Sequence, residues 1–161
     1  MKRSSPHRAK LIGLISDTHG LLRPQVLAAL KGVDLIIHSG DIGKPEVLQG
    51  LKAIAPLIAI KGNVDKGAWA HSLPDVKWLR IGDARMFVIH NVNELDFNAA
   101  ARGYQVVVSG HSHKPSVVTR DGVLLVNPGS AGPRRFKLPV TVGKLRVDCI
   151  AVSTEILYLE V

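Results

Sequence analysis

Residues 11–20 read LIGLISDTHG, an apolar run of strand length that ends in a carboxylate, Asp17, and an imidazole, His19, two positions apart. The run predicts a buried strand, and its polar end predicts a loop at the strand's carboxyl edge. The same pattern then returns twice, in DLIIHSG (34–40) and PLIAIKGN (56–63). Between these runs lie RPQVLAALKG (23–32) and KPEVLQGLKAI (44–54), each with a proline near a helix start; in the first, Val26, Leu27 and Leu30 share one face. The alternation is β-α-β-α-β, which predicts parallel strands that are central and buried on both faces.

Beyond residue 75 the pattern changes. VKWLRI and RMFVIH flank Gly82-Asp83, SVVTR and VLLVN flank Asp121-Gly122, and both dipeptides predict hairpin turns. ELDFNAAARG (94–103) is read as a helix leading into QVVVSGH. After the loop NPGSAGPRRFKLP, two long runs, VTVGKLRVDCI and STEILYLEV, are read as strands. The expectation is an α/β fold with parallel strands early and antiparallel strands late. Residues 1–9 are read as a flexible basic tail and residues 10–161 as one domain.

Composition narrows the class. The 161 residues are 46% apolar and 21% charged, and no apolar stretch approaches the roughly 20 residues of a spanning helix, so the chain is read as soluble. LIGLIS is too short for a signal sequence and ends in Asp17, which argues against export. The one cysteine, Cys149, falls in a strand-like run and is read as a small packing residue in a reducing cytoplasm. A net charge of +8 attracts anions such as phosphate esters. With aromatics at 4%, no basic stretch is interleaved with rings, so nucleic acid is not favoured as a partner.

The strand ends carry the chemistry. Asp17 and His19, Asp41, Asn63, His90, and His111 with His113 close five apolar runs with one vocabulary of oxygen and nitrogen donors. In α/β sheets ligands bind at such ends. Each residue also has an ordinary role. Asp17 or Asp41 alone would cap a helix, Asn63 would serve a turn, and His90 would be a bonded core histidine. Recurrence at five ends, and two imidazoles one residue apart in GHSH, favour metal ligation. The donor set suits divalent transition ions better than calcium. Seven ligands exceed one ion, whereas two ions about 3.5–4 Å apart with a bridging carboxylate would use them all. Two such ions against two carboxylates leave the site about two charges positive, suited to a phosphate ester.

Taken together, DTH (17–19), GD (40–41), GN (62–63), His90 and GHSH (110–113) resemble the signature of the calcineurin-like metallophosphoesterases. KGNVD and NPGS further resemble the small YfcE-type phosphodiesterases. The resemblance covers residues 11 to about 135. It implies a four-layer α/β/β/α sandwich. It implies Asp17, His19, Asp41 and His113 on one metal and Asp41, Asn63, His90 and His111 on the other, with Asp41 as the bridge. The ions are expected to be manganese first, with iron, zinc, nickel or cobalt as alternatives. The reaction implied is hydrolysis of a phosphodiester or nucleotide-like ester by a metal-bridging hydroxide, with Asn63 also positioning phosphate.

Two departures bear on leaving groups. Val64 stands where many members carry a histidine after the asparagine, with Asp65 beyond it as an outer partner of the site. His90 continues as Asn91-Val92 rather than Gly-His. With less help from a general acid, aryl or activated esters are expected to be preferred over alkyl monoesters. Arg134 and Arg135 are candidate phosphate contacts. His38 is read as a supporting or core residue, and Trp69 and Trp78 as packing residues, with Trp69 a candidate rim contact. The alternatives to a hydrolase of small esters are an interaction scaffold on the same fold, as in the retromer subunit of this superfamily, and a nuclease. Self-association is left open.

Overall fold

Residues 8–161 are described in this computed structural model. The first half forms β1 (Lys10–Ile15), α1 (Pro24–Ala29), β2 (Leu35–His38), α2 (Pro45–Lys52) and β3 (Leu57–Ala59). The second half adds β4 (Val76–Ile81), β5 (Ala84–Ile89), β6 (Val106–Val108), β7 (Ser116–Arg120), β8 (Val123–Asn127), β9 (Thr141–Asp148) and β10 (Ala151–Tyr158). Two five-stranded sheets result, ordered β10-β9-β1-β2-β3 and β4-β5-β6-β8-β7. β1, β2 and β3 run parallel, in the register Ile12 with Leu35 and Ile36 with Leu57.

The sheets face each other. Ile12, Leu14 and Ile37 of the first pack with Met86, Val88, Val106 and Val126 of the second, all at or near zero exposure. The opposite side of the first sheet takes the helices, with Ile15 and Ile36 against Val26, Leu30, Val47 and Leu51. This in-and-out alternation follows from the two-residue side-chain period of a strand, and it is why apolar runs buried on both faces serve both layers. Helices of six and eight residues fall short of the roughly 12–15 that hold alone in water, so their apolar stripes against the sheet keep them formed. The architecture is the expected α/β sandwich.

Five sequence expectations change. β3 is an edge strand, half-buried rather than central. Parallel pairing continues late, since β6 lies parallel to both β5 and β8. Residues 94–103 form no regular helix. A 3₁₀ turn at Val92–Glu94 gives way to extended Leu95, and Asn98 caps a single turn by accepting the Ala101 N–H before Gly103 reverses the chain at φ +78°. Asn side chains compete for backbone amides, and at Asn91 and Asn98 they win. The outer layer over the second sheet is therefore this turn-rich segment, packed through Phe97, Ala99 and Tyr104 on Phe87, Val107 and Val123.

The fourth change is Cys149, which is exposed at the turn between β9 and β10 with φ +56°, not packed in a strand. The fifth is Trp78, which lies 59% exposed on edge strand β4 with the Arg85 guanidinium 5.6 Å from its ring centre; Trp69 does pack against the helix layer. The expected hairpins form at both sites. Asp121 and Gly122 both have positive φ, as a type I′ turn requires. The basic tail lies outside the described residues for positions 1–7. Of the remaining two, Arg8 donates to Asp34 at 2.6 Å.

Candidate metal centre

The loops after β1 and β2 run side by side beyond the sheet. Asp17 N–H donates to the Gly40 carbonyl, His19 N–H to that of Asp41, and Gly20 N–H to that of Ile42, at 2.7–3.0 Å. Within these loops and in the GHSH segment, Asp17, His19, Asp41, His111 and His113 all have φ between +45° and +71°. Left-handed backbone costs a non-glycine residue of order 1 kcal/mol or more, so five instances in one place need a compensating reason. The reason is convergence: each kink helps turn a strand end toward the same point.

Asp17, His19 and His113 form one group whose ligating atoms lie within 4.8 Å of one another, and Asp17, Asp41 and His90 form a second. Asp17 Oδ1 is 3.4 Å from His113 Nε2 and 3.9 Å from His19 Nε2. Asp41 Oδ2 is 3.2 Å from His90 Nε2 and 3.8 Å from His19 Nε2, so one carboxylate oxygen reaches toward both groups. The His111 ring stands 5.3 Å from that of His90, and its backbone N–H donates to Asp17 Oδ2. Asn63 is exposed and lines a cavity beside His90. Five of the seven candidates thus meet directly, and His111 and Asn63 flank them.

The polar atoms do not satisfy one another. Asp17 Oδ1, His90 Nε2 and His113 Nδ1 are buried without a hydrogen-bond partner. His90 makes the point sharply. Its Nδ1 is 2.8 Å from the Ser39 carbonyl, which can only accept, so Nδ1 carries the hydrogen. In a neutral ring the bare Nε2 then faces a carboxylate oxygen. A cation between them resolves the conflict, and the Asp/His donor set is one that divalent transition ions accept.

Without a cation, protonation is the remaining relief. Burial pulls the His90 pKa down, but the Asp41 carboxylate and the Ser39 carbonyl outweigh it and raise it. Burial also opposes ionisation of Asp41, yet His90, the Val64 N–H and His19 hold its carboxyl well below the usual range. Asp17 is pushed up by burial against the Ser16 hydroxyl. His113 is pulled down to about 4 by burial, with Arg135 and His19 adding to it.

Several supporting residues carried little sequence signal. Ser16 Oγ donates to Asp17 Oδ2 at 2.7 Å, and Ser130 Oγ donates to the Asp17 carbonyl. Asn127 Nδ2 donates to the Gly110 carbonyl at 2.8 Å and contacts Ser112 Oγ, holding the GHSH loop. Asn127 ends an apolar run just as Asn63 does, so the strand-end criterion could have flagged it. Asp65 does support the site, accepting from the Ile42, Gly43 and Gly62 amides at 2.8–3.1 Å and tying the loops after β2 and β3 together. A side chain at Gly62 would overlap the Asp41 amide and carboxylate, which explains the glycine there. His38 is fully buried, with Nδ1 accepting from the Gly40 N–H and Nε2 against Thr18 Oγ1, and burial lowers its pKa to about 3. Arg134 and Arg135 are exposed in the loop after β8.

Comparison with known proteins agrees with this geometry. A model of the calcineurin-like phosphoesterase superfamily domain matches residues 11–149. A probable metallophosphoesterase of Methanothermobacter thermautotrophicus is 31% identical over 159 residues, covering 91% of each chain. The solved structure of an archaeal phosphodiesterase aligns with a TM-score of 0.75 at 26% identity, over 91% of this chain and 99% of that one. Vacuolar protein sorting 29 from Cryptosporidium parvum aligns with a TM-score of 0.82 over 94% and 92%; at 18% identity this likeness is one of fold.

Proposed function

The chain belongs to the calcineurin-like phosphoesterase superfamily, and from that premise we propose that it is a phosphodiesterase dependent on two divalent ions. Asp17, His19, Asp41 and His113 would hold one ion, and Asp41, Asn63, His90 and His111 the other. Manganese is the first candidate for a site of imidazole and carboxylate donors without thiolate, and iron, zinc, nickel or cobalt would also suit it. The observation that carries the reading is the convergence of five strand-end residues whose buried Asp17 Oδ1, His90 Nε2 and His113 Nδ1 lack partners. When bound, the ions supply positive charge against phosphoryl oxygens and acidify water at neutral pH.

The chain's own residues set the rest. Asn63 has amide hydrogens to offer a phosphoryl oxygen, and Arg134 and Arg135 add positive charge from the loop after β8. In the reaction one P–O bond forms to a water oxygen as the bond to the leaving alcohol breaks. One water proton ends on that alcohol and the other passes to solvent. Val64, exposed after Asn63, provides no acid for the alcohol, so diesters with good leaving groups are the expected substrates. Among the described residues no helix is long and apolar enough to cross a membrane. We place the activity in the cytoplasm, from the single cysteine of the chain.

The test is hydrolysis of a chromogenic aryl phosphodiester by chelator-stripped protein, with and without Mn²⁺, beside Asp41→Ala. We expect activity restored by metal and reduced by more than about 100-fold in the variant, beyond the loss typical of a residue that only supports a ligand. Folded protein that cleaves no diester with any of the five metals overturns the proposal.

A further inference from the structure

A cavity of about 530 Å³ opens onto the candidate metal centre and shares Asn63 and His90 with it. His90 is 5% exposed, and its Nε2 has no hydrogen-bond partner, so this wall of the cavity belongs to the unsatisfied centre itself. The apolar lining includes Phe87 and Phe97, set edge to face at 5.0 Å and 88°, and Leu95 beside them. The charged lining is unexpected beside a phosphate site in a chain of net charge +8. Asp75 lies 3.6 Å from the Lys61 ammonium, and these two largely cancel. Glu94 and Asp96 remain, both at the cavity wall, and neither is paired with a cation among the described residues. Arg102 stacks over the Phe97 ring at 4.4 Å but does not line the cavity.

One side of the centre therefore offers aromatic rings and two uncompensated carboxylates. The basic loop carrying Arg134 and Arg135 does not line this cavity. We propose that the cavity receives a cationic alcohol of the diester, a short apolar chain ending in an ammonium group, so that the preferred substrate is zwitterionic. This rests on the phosphodiesterase reading above. The rings hold the apolar part of the alcohol, and Glu94 and Asp96 supply the charge opposite to its cation. A second phosphate on that arm would meet the same carboxylates and be repelled, which sets this substrate class apart from nucleoside polyphosphates.

The experiment compares two substrates of one shape, the p-nitrophenyl esters of phosphocholine and of 3,3-dimethylbutyl phosphate, on the Mn²⁺-loaded chain. The first has a quaternary nitrogen where the second has carbon. We expect kcat/KM to favour the cation by about tenfold and the ratio to fall toward one in Glu94→Gln/Asp96→Asn. A parallel measurement needs no turnover: saturation-transfer NMR of choline against 3,3-dimethylbutanol on metal-free chain, wild type and double variant. Choline preference that the double variant removes supports the cavity. Equal cleavage of the two esters with no choline preference overturns the proposal and leaves the phosphodiesterase reading intact. If neither ester is cleaved while choline is still preferred through Glu94 and Asp96, the cavity stands and the phosphodiesterase reading falls.

Discussion

Two places in this molecule hold acidic residues in left-handed backbone, and the same conformation serves a different end in each. At the β7–β8 turn, Asp121 and Gly122 have φ of 52° and 78°, and the strands on either side pair in regular register from Arg120–Val123 onward. The conformation is what a two-residue turn demands, and it leaves no buried side-chain atom there wanting among the described residues. At the candidate metal centre Asp17 and Asp41 have nearly the same φ, 55° and 57°, but there the kinks bring together imidazoles and carboxylates that stay partly unsatisfied. Left-handed backbone alone marks a turn. Combined with buried polar atoms that lack partners, it marks a site built to receive something.

The contrast can be broken first at Asp65. Its carboxylate binds three amides that hold the loops carrying Asp41 and Asn63, and Ile42 N–H would be left buried and unpaired without it. Asp65→Ala should lower unfolding stability by about 3 kcal/mol, read from denaturant midpoints at unchanged m, and should reduce metal affinity as well. A loss under about 1 kcal/mol would mean that the loops hold without this anchor.

Metal binding sharpens the same contrast. At a free Mn²⁺ concentration 100 times its Kd, the chain should gain about 2.7 kcal/mol, and its melting temperature should rise by roughly 5–10 °C. Asp41→Ala should remove most of that rise, whereas Asp121→Ala should keep it. Calorimetry with and without chelator measures both.

A third check uses pH. Burial holds His38 neutral with a pKa of about 3, against 6.5 when unfolded. The unfolded chain therefore takes up a proton below about pH 6.5 that the folded chain refuses until about pH 3. The contribution is fully present above pH 6.5 and is lost as pH falls through that window, at about 1.4 kcal/mol per pH unit. At pH 5 the loss should be about 2 kcal/mol in the metal-free protein. His38→Gln should show a shallower decline than wild type between about pH 7.5 and 5, whatever its stability at the upper end.

The smallest effect belongs to the hairpin. Asp121→Ala exchanges a residue that tolerates left-handed backbone for one that resists it, and should cost about 1 kcal/mol in thermal or denaturant unfolding with kcat/KM unchanged. A comparable loss of activity would mean that the turn and the centre are coupled.

Much of this is legible in the sequence, for local reasons. The β-α-β-α-β half and the hairpins at Gly82-Asp83 and Asp121-Gly122 announce themselves because side-chain period and turn stereochemistry act over a few residues. The donor residues stand out because the same few types close successive apolar runs. The helix expected at 94–103 fails where Asn98 and Gly103 compete with good helix formers in the same short segment. Cys149 escapes a sequence reading because the β9–β10 turn shows neither of the usual dipeptides.

By itself, then, the chain determined its strands, most of its turns and the kinds of donor it would offer, since these depend on neighbours in sequence. Only the tertiary structure decided which donors meet and in what state. Asp17 receives the His111 amide across 94 positions, and the Ser39 carbonyl sets the His90 tautomer across 51. The cavity beside them joins loops from both sheets. Such contacts are settled by packing two sheets face to face, which brings together groups that no local pattern relates.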